Sequence, residues 1–216
     1  ISKMVRVACL LIGYVCGLFQ TAYIYGRING IDIREHGSGN SGTTNALRVL
    51  GKKAGLIVFA GDILKILAAG FLVTVLFNQG DFFGDRAALY KLYAGLGAVL
   101  GHNFPFYLNF KGGKGIAVTS GLILMMDWRI TILCLIAFAL TVGLTRYVSL
   151  GSLVITALFM ISWIFLGQTG RLALTPAHLL ESYVLVFLIV AMAYWRHRAN
   201  IKRLIAGTES KIGQKK

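Results

Sequence analysis

The chain has 216 residues, of which 56% are hydrophobic and 14% charged, with a mean hydropathy of +0.72. That leaves too little polar surface to cover a water-soluble core and excludes a soluble globular protein. Its 22 Lys and Arg against 8 Asp and Glu give a formal charge of +14, but the cations lie between apolar runs, which points to membrane orientation and anionic ligands and away from nucleic acid.

Apolar helical runs cover residues 5–26, 54–78, 87–104, 116–126, 130–144, 148–167 and 182–195. Crossing the hydrocarbon takes about 20 helical residues, so the fourth and fifth runs are short, and the fourth is readable as a half-span or re-entrant piece. The expected fold is an all-α integral membrane protein of about seven transmembrane helices. The first run is read as a span and not a cleaved leader. Pro105 and Pro176 each stand beside a proposed span end. With seven crossings, fifteen cations fall on one side and six on the other, Lys65 inside the second run completing the set. Cations concentrate in the cytoplasm, so the N-terminus is expected outside, the C-terminus in the cytoplasm, and every motif below on the cytoplasmic side. No second domain or repeat is visible, and residues 1–216 read as one polytopic membrane domain with a basic tail from about residue 196. Cys9, Cys16 and Cys134 lie in apolar runs without ligand or pairing spacing and are read as buried thiols.

The loop after the first run reads Gly37-Ser38-Gly39-Asn40-Ser41-Gly42-Thr43-Thr44-Asn45 and continues Ala46-Leu47-Arg48. Alternating glycines let backbone N–H groups approach an anion, and the short helix that follows offers a phosphate site at its N-terminus. Thr44 and Asn45 share a helix face with Arg48. The plainer reading is an interhelical loop with a Ser or Thr cap. In the second run Asp62 and Lys65 are three apart and can pair, either as a functional intramembrane site or as a structural ion pair.

A second loop runs from Gly101-His102-Asn103 through Pro105 to Lys111-Gly112-Gly113-Lys114-Gly115. It lacks Walker spacing and a preceding strand, so ATP is rejected. Lys114, near a helix N-terminus, suits a phosphate, whereas Lys111 reads as a surface anchor. Further on, Arg146-Tyr147-Val148-Ser149 supplies a cation and a hydroxyl. The last run exits through Tyr194-Trp195-Arg196-His197-Arg198-Ala199-Asn200, with Asn200 on the face of His197.

The runs GSGNSGTTN, GHNFPFYLNFKGGKG, RYVSLGS and RHRANIKRL, in this order and over nearly the whole chain, resemble the bacterial acyl-phosphate:glycerol-3-phosphate acyltransferases. Thr43 stands where that family commonly has Ala. Leu18-Phe19-Gln20 replaces a Ser-Ile-Pro step, altering geometry near the outer end of the first run, and segment 168–181 is longer than usual. The resemblance implies transfer of a fatty acyl group from acyl phosphate to the 1-hydroxyl of glycerol 3-phosphate, giving lysophosphatidic acid and phosphate. This is the first acylation of phospholipid synthesis, placed at the bacterial cytoplasmic (inner) membrane. It implies that Ser38, Asn40, Thr44, Asn45 and Ser149 hold acyl phosphate and that Arg48, Lys114, His197 and Asn200 hold glycerol 3-phosphate. Gly42, Gly112 and Gly113 complete the binding set, and Ser149, His197, Lys114 and Arg48 are the catalytic candidates. No cofactor or metal is expected.

None of the four histidines has Asp five residues later, which disfavours the thioester-dependent H-x-x-x-x-D mechanism. No carboxylate is expected beside Ser149 or His197, so a serine nucleophile would lack its usual support. The alternative class is a transporter of a phosphorylated or other anionic solute, with discontinuous helices around a midplane site. A lipid-binding scaffold explains the charge asymmetry but not the paired glycine loops.

Overall fold

The computed structural model describes residues 1–213. Lys215 and Lys216, counted above among the cytoplasmic cations, lie outside them. Among the described residues the secondary structure is helical throughout: α1 Lys3–Gly17, α2 Thr21–Ile28, α3 Thr43–Leu50, α4 Lys52–Asn78, α5 Asp85–Asn103, α6 Ile116–Met126, α7 Trp128–Thr145, α8 Val148–Gln168, α9 Pro176–Arg196 and α10 Arg198–Ile205. Five segments are long and apolar enough to cross a membrane: Lys3–Ile28, Lys52–Asn78, Trp128–Thr145, Val148–Gln168 and Pro176–Arg196.

The centre of the bundle is α5, packed against α1, α4, α6 and α9. It is less apolar than its neighbours because protein, not lipid, surrounds it. Its contact with α1 is carried by Gly13 and Gly17 on one helix and Gly97 and Gly101 on the other. A Cβ on Gly13 would stand 2.0 Å from the Ala94 carbonyl oxygen, and one on Gly101 would stand 2.2 Å from that of Tyr14. Both helices therefore carry the small-xxx-small spacing that lets backbones touch where no hydrophobic force distinguishes helix from lipid. The pairs Gly13–Ala94 and Gly17–Ala98 rise together, so α1 and α5 are parallel.

At the start of these helices, Arg6 and Tyr93 both bond Glu181 of α9, each at 2.5 Å. Nearby, Asp85 accepts from the Thr175 backbone and pairs with His178. These contacts pin one end of the bundle and leave the other end to the loops.

The first apolar run is not one helix. It breaks at Leu18–Gln20 into α1 and α2, and the break lies at the loop end of α1, not at its far end as the sequence suggested. Gln20 is fully buried, and its Nε2 donates to the carbonyls of Gly17, Gly101 and His102. An amide side chain thus holds α2 against the end of α5. The fourth run forms an α6 of 11 residues, about 16 Å long and so shorter than the roughly 30 Å hydrocarbon core of a typical bilayer. Asp127 then caps α7 by accepting from the N–H groups of Arg129 and Ile130. Pro176 is the first residue of α9, as its missing N–H allows. Cys9 and Cys134 are buried as expected, while Cys16 is half-buried; all are free thiols.

Candidate active site

The loops at one end of the bundle enclose a cavity of about 850 Å³. Four helices begin at its wall. Thr43, Thr44 and Asn45 of α3, Ile116 and Ala117 of α6, Val148 and Ser149 of α8, and Ala199 and Asn200 of α10 all line it. None of these four N-termini has a side-chain cap, and α3 begins on Gly42 and not on the Ser or Thr cap of the plainer loop reading. First-turn N–H groups have no intrahelical acceptor and carry the positive end of the helix dipole. Four uncapped ends at one cavity make a strong site for anions.

The glycine-rich loop before α3 is held from within. Asn45 is buried; its Oδ1 accepts from the Ser38 N–H at 2.9 Å, and its Nδ2 donates to the carbonyls of Ile33 and His36. Its side chain shapes the loop and is not available to a ligand. Ser38, Asn40, Gly42 and Thr44 line the cavity, as does Arg48, which is exposed and makes no protein hydrogen bond or ion pair among the described residues.

In the second loop the Gly112 N–H donates to the Asn103 carbonyl and that of Gly113 to the His102 carbonyl. These amides are committed to the end of α5 and do not face an anion. The glycines are needed for close approach, since a Cβ on Gly112 would lie 2.0 Å from the His102 carbonyl oxygen and one on Gly113 would lie 2.2 Å from His102 Nε2. Arg196 grips the outer side of the turn, donating to the carbonyls of Gly112 and Gly113 at 2.7–3.0 Å, and stacks on Phe104. So clamped, the turn presents Lys114 to the cavity, where Nζ donates to Asn200 Oδ1. Burial, reinforced by Arg203, Arg196 and Arg48 and opposed by Glu209, pushes Lys114 down to about 8.

Glu209 is the residue the sequence reading missed. Its carboxylate accepts from Ser149 Oγ at 2.8 Å, Asn200 Nδ2 at 2.6 Å and Arg203 Nε at 2.6 Å. Burial opposes its ionisation, but these hydrogen bonds outweigh burial and hold it below the usual carboxylate value. The expectation that no carboxylate stands near Ser149 is therefore corrected. A signal was present: one acid in a tail otherwise rich in cations. That tail does not hang free, because Ile212 and Arg146 exchange hydrogen bonds at 2.7 and 2.8 Å and close it over the cavity.

His197 Nδ1 lies 2.7 Å from the Ala193 carbonyl oxygen. A carbonyl only accepts, so Nδ1 carries the proton and Nε2 is left as an acceptor. Burial, then the nearby Lys114, push His197 down to about 4, so the ring is neutral at physiological pH. Glu209 bonds Ser149 and not His197, and no Ser–His–carboxylate chain forms among the described residues. Of the candidate residues, Ser38, Asn40, Gly42, Thr44, Asn45, Arg48, Gly112, Lys114, Ser149, His197 and Asn200 all line this one cavity; Gly113 lies just behind it. Apolar wall is supplied by Phe59, Ile116, Ala117, Phe138 and Val148.

Residues 7–207 match the family model described as glycerol-3-phosphate acyltransferase. The glycerol-3-phosphate acyltransferase of Clostridioides difficile (strain 630) is 42% identical over 211 residues, covering 95% of each chain. That of Alkaliphilus metalliredigens (strain QYMF) is 40% identical over 213 residues, covering 98% of each. Among solved structures, the glycerol 3-phosphate form of PlsY (YgiH), an integral membrane glycerol 3-phosphate acyltransferase, superposes with a TM-score of 0.79 at 29% identity, over 96% of both chains. Its lysophosphatidic acid form gives 0.77 at 29%, over 96% of this chain and 95% of that one. With the match running through every cavity-lining helix, the chain belongs to the glycerol-3-phosphate acyltransferase family.

Proposed function

We propose that the protein transfers a fatty acyl group from acyl phosphate to the 1-hydroxyl of glycerol 3-phosphate, releasing lysophosphatidic acid and inorganic phosphate. The observation that carries this reading is the convergence of four uncapped helix N-termini, Arg48 and Lys114 on one cavity that also has an apolar wall. Two phosphates and an acyl chain need such a combination. Acyl phosphate is already an activated anhydride, so catalysis reduces to positioning two anions and stabilising charge.

The first turn of α3, with Ser38, Asn40 and Thr44, faces the acyl phosphate, and Asn45 holds that loop in shape. Ser149 donates to the same phosphate after exchanging its bond to Glu209. Arg48, Lys114 and Asn200 hold glycerol 3-phosphate, and Gly112 and Gly113 serve by close packing. The hydroxyl oxygen attacks the acyl carbon, the bond from that carbon to the phosphate oxygen breaks, and phosphate departs with the electron pair. A histidine at about 4 is a weak base, whereas the departing phosphate carries the electron pair of the broken bond and takes up a proton readily. The departing phosphate is therefore the better acceptor for the 1-hydroxyl proton, and His197 Nε2 orients the substrate by accepting a hydrogen bond from its neighbouring 2-hydroxyl.

The chain forms one domain with seven crossings, α1 and α2 acting as the first, and the N-terminus lies outside. The cavity opens to the cytoplasm at the bacterial inner membrane. Supporting this are the fifteen-to-six distribution of cations and the alternating direction of successive apolar helices. Purified protein in detergent, which has no compartments, is expected to form lysophosphatidic acid and phosphate in equal amounts. A transporter of anionic solutes would form neither.

A further inference from the structure

Beneath the Gly112–Lys114 turn lies a charged cluster that the reaction described above does not use. Lys65 Nζ hydrogen-bonds the Phe19 carbonyl at 2.9 Å and His102 Nδ1 at 2.8 Å, and forms an ion pair with Asp62 Oδ1 at 2.8 Å. Lys65 is 6% exposed and Asp62 1%. An ammonium only donates, so Nδ1 of His102 must accept, and the ring proton sits on Nε2. That nitrogen faces the Gly113 Cα, where a Cβ would stand 2.2 Å away. The backbone carbonyl of the same histidine receives the Gly113 N–H. One residue thus meets the turn through both ring and backbone.

We propose that Lys65 is a positioning residue for acyl transfer: its ammonium fixes the neutral, Nε2-protonated form of His102, and that ring sets the height of the turn that delivers Lys114 to substrate phosphate. The proposal rests on the function given above. Three elements meet at Lys65: the break between α1 and α2, the middle of α4 and the end of α5. Had the cluster only a packing role, apolar residues of similar volume would serve as well or better, because burying an ion pair in a span is costly. Asp62, paired with Lys65 at 2.8 Å, offsets the charge that Lys65 brings into the bundle. Gln20, donating to the His102 carbonyl at 3.1 Å, braces the ring's backbone from the opposite side.

The test combines a tautomer measurement with kinetics. Nitrogen NMR of histidine-labelled protein in lipid, with the His102 signals identified by their loss in His102→Asn, is expected to show the Nε2-protonated form. The double variant Asp62→Asn/Lys65→Met removes both charges together and leaves neither uncompensated. It is expected to stay monodisperse and lose the fixed tautomer, and its KM for glycerol 3-phosphate should rise about tenfold to a hundredfold, as misplacement of a binding group predicts. A merely structural pair would lower thermal stability and leave KM unchanged. Wild-type His102 protonated on Nδ1, or a folded double variant with wild-type KM and kcat, overturns the proposal. The wild-type tautomer keeps the proposal open to refutation even where the double variant does not fold. Absence of acyl transfer by wild-type protein would instead count against the proposed function.

Discussion

Lys114 makes activity depend on pH in a way the site's geometry specifies. Its ammonium must be present to hold substrate phosphate, yet burial lowers it from 10.5 to about 8. Glycerol 3-phosphate, with a second phosphate ionisation near ~6, keeps a constant charge above neutrality. The kcat/KM for glycerol 3-phosphate, which reports the free enzyme, should therefore hold up to about pH 8 and fall about tenfold per unit above it. At saturating substrate kcat should fall at higher pH, because a bound dianion raises the Lys114 pKa. Stability moves the other way. The folded pKa lies below the unfolded one, so between about 8 and 10.5 the unfolded chain binds more protons, and Lys114 makes folding more favourable as pH rises. Loss of turnover in this window is thus separable from unfolding, followed by thermal melting in detergent. Lys114→Arg keeps its charge throughout, so its kcat/KM should be lower but flat from pH 8 to 10. A flat wild-type profile, or an equal fall in Lys114→Arg, would refute the role assigned to Lys114.

Arg48→Ala removes an exposed cation without protein partners among the described residues, so its KM for glycerol 3-phosphate should rise about tenfold or more while the melting temperature stays unchanged. Glu209→Ala deletes the acceptor of three hydrogen bonds. It should cost about 2–4 kcal/mol of stability in denaturant or thermal melts, the Arg203 pair contributing little because Arg203 is 45% exposed. Single cysteines from Lys53→Cys and Thr208→Cys, both at exposed positions, should be shielded from an impermeant reagent in intact cells, while Thr169→Cys should react; labelling at position 53 or 208 from outside would reverse the topology.

The fold was legible where a feature is periodic or local. Apolar runs gave the helices, and the i, i+3 spacing of Asp62 and Lys65 gave their pair. The third member, His102, lies 37 residues from Lys65, and nothing local joins them. The break at Leu18–Gln20 escaped because it depends on Gln20 reaching carbonyls of α5, a tertiary contact with no sequence pattern. Glycine-rich loops marked the cavity wall, but composition does not reveal which amides remain free. Those of Gly112 and Gly113 are consumed by α5, while the uncapped first turns of α3, α6, α8 and α10 remain open. Glu209 stood out as one acid in a basic tail, but its bond to Ser149, 60 residues away, has no local signal.

The central claim is that both substrates meet in one cavity and the acyl group passes directly between them. Intact-mass measurement of the purified protein after mixing with acyl phosphate alone tests this most directly. The account predicts unmodified protein, followed by lysophosphatidic acid and an equal amount of phosphate once glycerol 3-phosphate is added. A kinetically competent acyl adduct on Ser149, discharged only by glycerol 3-phosphate, would contradict it and make Ser149 the nucleophile.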